Sequence, residues 1–389
     1  MAELHISDAI RYIGVDDLDI DLFESQYPVA NGVSYNAYLI LDEKTAIMDT
    51  VDGRKTVQWL ENLERELNGR TPDYLVLHHL EPDHAGGVGL LLEKYPQMQL
   101  VGSAKTFTML PKYFTGDISG RTLTVKEGES LSLGSHTLTF YMAPMVHWPE
   151  VMVSYERAEK VLFSADAFGK FGALSRQEDW TDEARRYYFN IVGKYGAPVQ
   201  TLLKKAAGLE ISAIAPLHGP VLRGDLGPYL AKYDCWGRYQ PEEEGGLVAY
   251  ASIHGNTAQA AQFLAEELRA KGCPKVVCTD LCREDQSQAV ANAFRFPRLA
   301  CLSATYDGGL FPAMEHFLCH LRDKTYRGRA VALVENGSWA PAADKLMRAA
   351  FQGMKEIDLC GQIPTIQGAV KAEDRANLSA LADELLHKA

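Results

Sequence analysis

The chain has 389 residues, with 39 lysines and arginines against 51 aspartates and glutamates, a formal net charge of −12. That acidic balance argues against nucleic acid as the main partner, and no uninterrupted apolar run approaches the ~18 residues of a membrane span. With 47% hydrophobic and 23% charged residues the composition is that of a globular protein, and roughly 150 residues per domain gives two to three domains.

The opening stretch MAELHISDAIRYIGVDD carries acids and no apolar h-region, so no secretory signal is expected and the protein reads as cytoplasmic. VSYNAYLILD and TAIMDTV read as paired strands. DYLVLHH (73–79) is an apolar run ending in polar residues, and AGGVGLLLEKYP has helical spacing. TLTVKEG, HTLTFYMAP and VMVSYE follow as strands. Residues 181–208 predict one long helix, with Arg185, Arg186 and Lys194 on a solvated face. At RYQPEEEGG (238–246) the pattern stops, which predicts a linker with Glu242 to Glu244 as solvated surface.

A regular alternation begins after the linker. GLVAYAS, KVVCTD, RLACLSA, GRAVALVE and IPTIQGA read as strands, and TAQAAQFLAEELRAKG, SQAVANAFRF and EDRANLSALADELLHK as helices. Such βα alternation implies a parallel, doubly wound sheet with helices on both faces. The expected domains are 1–243 and 247–389. The seven cysteines include no Cys-x-x-Cys pair, so a thiolate-bound metal centre is not expected and the cysteines read as reduced, small apolar residues.

Two groups of residues carry chemistry. In LHHLEPDHAGG (77–87), His79, Glu81, Asp83 and His84 fall within six positions, directly after an apolar strand. His147, Asp166 and His218 each follow a later apolar strand, where a polar group is costly unless paired or metal-bound. In this order they form the ligand pattern of the metallo-β-lactamase fold, an αββα sandwich with a two-metal site at one edge. Hydrolases of that fold usually carry imidazole where Glu81 stands. Four imidazoles and three carboxylates, with no thiolate, favour two irons over zinc, with Asp166 as the bridge. His78 should point to the opposite face of its strand and be structural. His316 and His320 lie four apart on a probable helix, without a third ligand in the pattern.

The second group follows the strand GLVAYA: Ser252, Ile253, His254, Gly255, Asn256 and Thr257 lead into a helix. Hydroxyls, backbone N–H groups and a helix N-terminus suit a phosphate monoester, and the loop lacks the Lys of a nucleoside-triphosphate loop. Two further loops stand at carboxyl ends of strands, Ser303-Ala304-Thr305-Tyr306-Asp307-Gly308-Gly309 and Asn336-Gly337-Ser338-Trp339-Ala340. Tyr306 and Trp339 there would flank a flat ring, which points to FMN.

With both groups in place, the chain resembles the flavodiiron proteins (A-type flavoproteins) along essentially its whole length. The resemblance implies an α/β protein, an αββα metallo-β-lactamase-like sandwich followed by a flavodoxin-like doubly wound sheet. It implies one iron on His79, Glu81 and His147, a second on Asp83, His84 and His218, and Asp166 between them. It also implies FMN on the three loops and Tyr195, within the stretch Arg185 to Gly196, pointing at the iron pocket. The implied activity is reduction of O2 to water, of NO to N2O, or both. Electrons would come from an external donor, rubredoxin-like or a flavin/NADH reductase, and the assembly would be a head-to-tail homodimer or a dimer of dimers. Ile253, His254, Ala304 and Asp307 depart from the family's usual flavin loops. The competing reading is a zinc hydrolase of the metallo-β-lactamase fold fused to a flavodoxin-like electron carrier.

Overall fold

The computed structural model describes residues 4–176 and 178–388. The early hairpin forms as expected: Tyr38–Ile40 pairs antiparallel with Ala46–Met48. Ile10–Tyr12 adds to the outer side of Tyr38–Ile40. From Ala46–Met48 the sheet continues in parallel through Tyr74–Val76, Gln99–Gly102 and Thr122–Thr124. A second six-stranded sheet runs Ser130–Ser132, Thr137–Met142, Met152–Glu156, Val161–Phe163, Ala213–Ala215 and Leu222–Arg223. One buried cluster, including Tyr38, Met48, Val76, Phe140, Met152 and Phe163, joins the two sheets face to face. The helix Thr56–Leu67 buries Trp59, Asn62, Leu63, Glu66 and Leu67 along one side and exposes Val57, Gln58, Glu61, Glu64 and Arg65 on the other, the pattern of a helix covering a sheet. This is the αββα sandwich.

A polar tie also links the strand-connecting turns of this unit. His136 is nearly buried, with Nδ1 2.8 Å from Asp42 Oδ2 and Nε2 3.3 Å from Glu159 Oε1. Burial alone would lower its pKa, but the two carboxylates outweigh that and raise it. The stabilisation from this tie is therefore complete below the ordinary imidazole value of about 6.5 and is lost as pH rises through the raised folded value. The expected result is a urea midpoint that falls more steeply from pH 6 to pH 9 in the native protein than in His136→Gln. Parallel pH profiles for the two would remove the assignment.

The sheet of the second unit is parallel in the order Val276–Asp280, Gly246–Ala251, Arg298–Tyr306, Arg329–Asn336, with Ile357–Leu359 and Thr365–Ile366 side by side on the last strand. That is the flavodoxin-like doubly wound order. The strand Ile357–Leu359 and the helix Ala343–Gln352 were not expected from the sequence. IPTIQGA shrinks to a two-residue strand.

The division between the units differs from 1–243 and 247–389. One unit is Met1–Tyr188 with Ala197–Asp234, the other Phe189–Gly196 with Cys235–Ala389. The expected helix over 181–208 is broken: helix Trp180–Tyr187, a π turn at Tyr188–Val192, a 3-10 turn at Gly193–Tyr195, then helix Gly196–Ala206. Phe189 stacks on Phe294 with ring centroids 4.2 Å apart, and Asn190 Nδ2 donates to Ser287 O at 3.0 Å. These contacts assign the broken stretch to the second unit.

One expectation about charge is corrected and one is extended. Arg185 and Arg186 are buried rather than solvated. Arg185 pairs with Asp182, while Arg186 pairs with Glu183, donates to Pro28 O at 2.9 Å and lies over the Phe171 ring. The glutamates of the expected linker are also engaged. Glu242 accepts from Trp236 Nε1 at 2.9 Å, Glu243 pairs with Arg295 and Lys275, and Glu244 with Arg298 at 2.8 Å. A run of like charge stays together here because each carboxylate has its own partner.

Candidate functional site

The strand Tyr74–Val76 ends under the polar loop, and the short helix Pro82–Ala85 turns it back. Gly86 permits this turn: a Cβ there would lie 2.5 Å from Gly53 N and 2.8 Å from Val51 O. The close approach is thus to the chain's own backbone. The loop brings His79 and Glu81 to His147 and Asp166, and Asp83 and His84 to His218.

Asp166 stands between these groups. Its Oδ2 is 3.4 Å from His79 Nε2 and 3.1 Å from His147 Nε2, while Oδ1 is 3.2 Å from His84 Nε2 and 3.8 Å from His218 Nε2. Glu81 Oε2 completes the first set, 3.2 Å from His79 Nε2 and 3.1 Å from His147 Nε2. Asp83 Oδ2 completes the second, 3.3 Å from both His84 Nε2 and His218 Nε2. All seven expected residues are brought together, with one carboxylate facing each way.

The donor set fits two cations. Both carboxylate oxygens of Asp83, Oδ1 of Asp166 and Nε2 of His147 are buried without a hydrogen-bond partner, a costly arrangement unless an ion meets them. Burial alone would lower the His79 imidazole's pKa, yet the Asp166 charge and contacts with Glu150 and Glu81 hold it well above its ordinary value. His84 is raised by Asp83 and Asp166 against the same desolvation. Asp166, although buried, is held well below the usual carboxylate range by the imidazoles around it. The pocket is built for positive charge, and protonated imidazoles supply it where metal does not.

Residues that the sequence reading did not single out hold the ligand set in place. Glu150, fully buried, accepts at Oε1 from His79 Nδ1 (2.8 Å) and Leu80 N (3.0 Å), which leaves the His79 Nε2 lone pair for a metal. His218 Nδ1 donates to Ser34 O at 2.7 Å with the same effect. His78, structural as expected, joins Asp49 Oδ2 (2.5 Å) to Ser154 Oγ (2.8 Å), and Asp49 Oδ1 accepts from His78 N at 2.7 Å. Lost hydration and the Glu81 charge push the Glu24 carboxyl up to about 7. Glu150 lies in the His147 segment, three residues on, and only the fold reveals its partner. For Glu150→Gln the expected loss of metal affinity is about 10–100-fold, with the fold intact. Metal content after dialysis against a graded chelator measures it, and native retention would show Glu150 to be dispensable.

Tyr195 falls in the second unit, while the ligand set lies in the first. It ends the 3-10 turn Gly193–Tyr195, which belongs to the second unit. The tyrosine at the cluster is Tyr187, buried, with its ring 5.5 Å from that of His218. The helix break after Tyr187 is what sends the two tyrosines into different units. Burial, then the charges of Asp166, Asp83 and Glu81, raise the Tyr187 pKa well above its ordinary value, so its phenol keeps its proton.

In the second unit a cleft of about 530 Å³ opens at the carboxyl ends of the strands. All of the expected loop residues line it except Gly255, Ser303 and Gly309, and Gly368 joins them. The volume is that of a small-molecule site. Gly255 stands before helix Asn256–Ala270 with φ 94°, and its N–H donates to Ser252 Oγ at 3.1 Å. The helix N-terminus behind it offers backbone N–H groups to an anion. Thr305 Oγ1 accepts from Ala342 N and Ala343 N, and Asn336 clasps Gly368 through two 3.0 Å hydrogen bonds, so these two shape the cleft. Ile253, Tyr306 and Trp339 are exposed around it, Trp339 to 83%, and flat apolar surface at a polar cleft suits an aromatic ring system. Should FMN sit in this cleft as the sequence suggests, the double variant Gly255→Val with Thr257→Ala is expected to lose it without change in metal content, because valine is strained at that φ. Absorbance and metal content measure this, and native flavin in the double variant would exclude the loop.

Residues 33–219 match the family model described as ODP family beta lactamase. The chain is 30% identical over 382 residues to a nitric oxide reductase of Moorella thermoacetica, covering 95% of this chain and 94% of that one. The chain belongs to the flavodiiron protein family. This flavodiiron protein is also 28% identical to an anaerobic nitric oxide reductase flavorubredoxin of Vibrio vulnificus, over 86% of its own length and 70% of the relative's. Its fold is similar to that of rubredoxin oxygen:oxidoreductase from Desulfovibrio gigas, with TM-score 0.92 and 27% identity over 98% and 97% of the two chains. The flavodiiron protein of Giardia intestinalis gives TM-score 0.93 at 25% identity, over 98% and 95%. As a member of this oxidoreductase family the flavodiiron protein is not the zinc hydrolase of the competing reading. No helix among its described residues is long and apolar enough to cross a membrane.

Proposed function

We propose that this chain reduces O2 to water, NO to N2O, or both, at a non-haem diiron centre, with FMN in the second unit and an external donor, rubredoxin-like or a flavin/NADH reductase. The observation that carries the reading is Asp166, whose two oxygens each face one half of a seven-residue set of nitrogen and oxygen donors. His79, Glu81 and His147 would hold one iron, Asp83, His84 and His218 the other, and Asp166 both. Glu81 supports iron over zinc, because hard oxygen donors suit a metal that cycles between 2+ and 3+. The relatives named for NO reduction and for rubredoxin-dependent O2 reduction support the substrates and the donor. A reducing, cytoplasmic setting fits a chain with no disulfide among its described residues.

When bound, the iron pair and FMN supply two electrons each, enough for the four-electron reduction of O2 or the two-electron joining of two NO molecules. The protein's own residues admit the gas, hold protons and keep the ligands fixed. A cleft of about 410 Å³, lined by Glu24, Tyr35, Arg54, Glu81 and Asp83 among others, leads to the ligand carboxylates and is wide enough for a diatomic gas and water. Tyr187, protonated and pressed against His218, holds a hydrogen-bond donor at the wall of the ligand set. Glu150 and the Ser34 carbonyl fix the tautomers of His79 and His218. The expected assembly is a head-to-tail homodimer or a dimer of dimers, which light scattering tests.

The deciding experiment is anaerobic reduction of the purified protein with iron and FMN quantified, followed by consumption rates for each gas. Two irons and one FMN per chain, with oxidation of the reduced protein by at least one gas, is the expected result. Zinc alone in a colourless protein would overturn the reading.

A further inference from the structure

We infer that His316 and His320 form a separate two-imidazole site for a late first-row divalent cation of square-planar or octahedral preference, Ni2+ or Cu2+ rather than Zn2+. Both lie on the helix Pro312–Asp323, where residues four apart share one face. Their Nε2 atoms are 3.0 Å apart. With metal–nitrogen bonds of about 2.0–2.1 Å, that separation subtends about 90–95° at a shared ion. This is the cis edge of a square or octahedron, whereas a tetrahedral ion would spread the nitrogens to about 3.4 Å.

The protons are arranged for this. Gln286 Nε2 donates to two backbone carbonyls, Leu281 O at 3.0 Å and Ala313 O at 3.2 Å. That fixes the amide, so Gln286 Oε1 is the atom 2.8 Å from His316 Nδ1. An amide oxygen only accepts, so His316 carries its hydrogen on Nδ1 and presents a lone pair at Nε2. This is the carbonyl-type support that metal-bound imidazoles commonly have. Without an ion, His320 Nε2–H donates to that lone pair across the 3.0 Å gap, and a cation would take the place of that hydrogen. The centroids are 4.4 Å apart with the ring planes at 87°, closer than the roughly 5 Å of a straight N–H···N bond, so this one is bent. The nitrogen ends therefore converge beside both rings. Burial and the neighbouring His316 and Lys324 push the His320 pKa down to about 4, so protons do not compete for its nitrogen at neutral pH. Among the described residues no third His, Cys, Asp or Glu joins the pair, so water fills the remaining positions.

The test is Ni2+ titration of the iron- and FMN-loaded protein by calorimetry, with Zn2+ for comparison. One equivalent of Ni2+ should bind without release of iron, more tightly than Zn2+. His320→Gln and, separately, His316→Gln should each weaken Ni2+ at least tenfold while iron, FMN and gas consumption stay native. Gln286→Ala should weaken it less than either. Unchanged Ni2+ affinity in both histidine variants overturns the inference, as does uptake matched by iron loss or a preference for Zn2+. His316 is exposed, so its variant keeps the test open should His320→Gln fail to fold.

Discussion

Asp166→Asn is expected to empty both halves of the centre at once and to lower turnover by more than about 100-fold, since losing a partner outside the ligand shell alone costs about 10–100-fold. The reason is geometric. Asp166 Oδ2 faces His79 and His147, and Oδ1 faces His84. An amide offers one oxygen and one N–H group, so one half keeps a weak ligand and the other meets a donor aimed at its cation. The buried pocket also loses a negative charge while keeping four imidazoles. Iron and flavin measured on one preparation check this. The expected result is iron lost from both positions with flavin at native content. Retention of two irons with full gas consumption would remove Asp166 from the bridging position.

Arg329→Met should give the largest loss of stability outside the metal unit. Arg329 is buried, and its guanidinium donates to backbone carbonyls: Phe296 O at 2.8 Å, Tyr239 O at 2.7 Å, Phe294 O at 2.6 Å and Arg327 O at 3.0 Å. Tyr239 in turn donates through its hydroxyl to Gly193 O at 2.8 Å. One side chain thus holds the chain's re-entry into the second unit, where φ of Tyr239 is 58°. Methionine fills the space but leaves several buried carbonyls unmet, at about 1–3 kcal/mol each, partly offset by no longer burying a charge. A net loss of about 3–5 kcal/mol is expected, or a fall of ~10 °C in Tm at about 2–4 °C per kcal/mol. Flavin release on heating should move with it. Arg329→Lys should recover only part, because an ammonium cannot span carbonyls on three segments. An unshifted melting curve for Arg329→Met would show these bonds to be of no net value.

The seven ligand-type residues were legible because four of them fall in one loop after an apolar strand, and the other three are isolated polar groups that each follow a later one. The phosphate loop was legible from Ser252 and Gly255 ahead of a helical run. Glu150 and Ser34 were not, since their roles depend on meeting a ring 71 and 184 residues away. Tyr187 beside His218 was not singled out, because a helical pattern over 181–208 hides the π turn that redirects the chain after Tyr187. The glutamates after Pro241 lie toward the surface as read, but their partners were not legible, since Arg295, Arg298 and Lys275 approach them only in the folded second unit.

The detour of Phe189–Gly196 into the second unit sets an order on synthesis. A ribosome delivers that octet before the rest of its own unit exists. Phe189 must wait for Phe294, about a hundred residues and some 5–20 seconds of translation later. In the later part of that interval, once Asp234 has been made, the nascent chain holds an aromatic segment still short of Phe294 between two stretches of the sandwich.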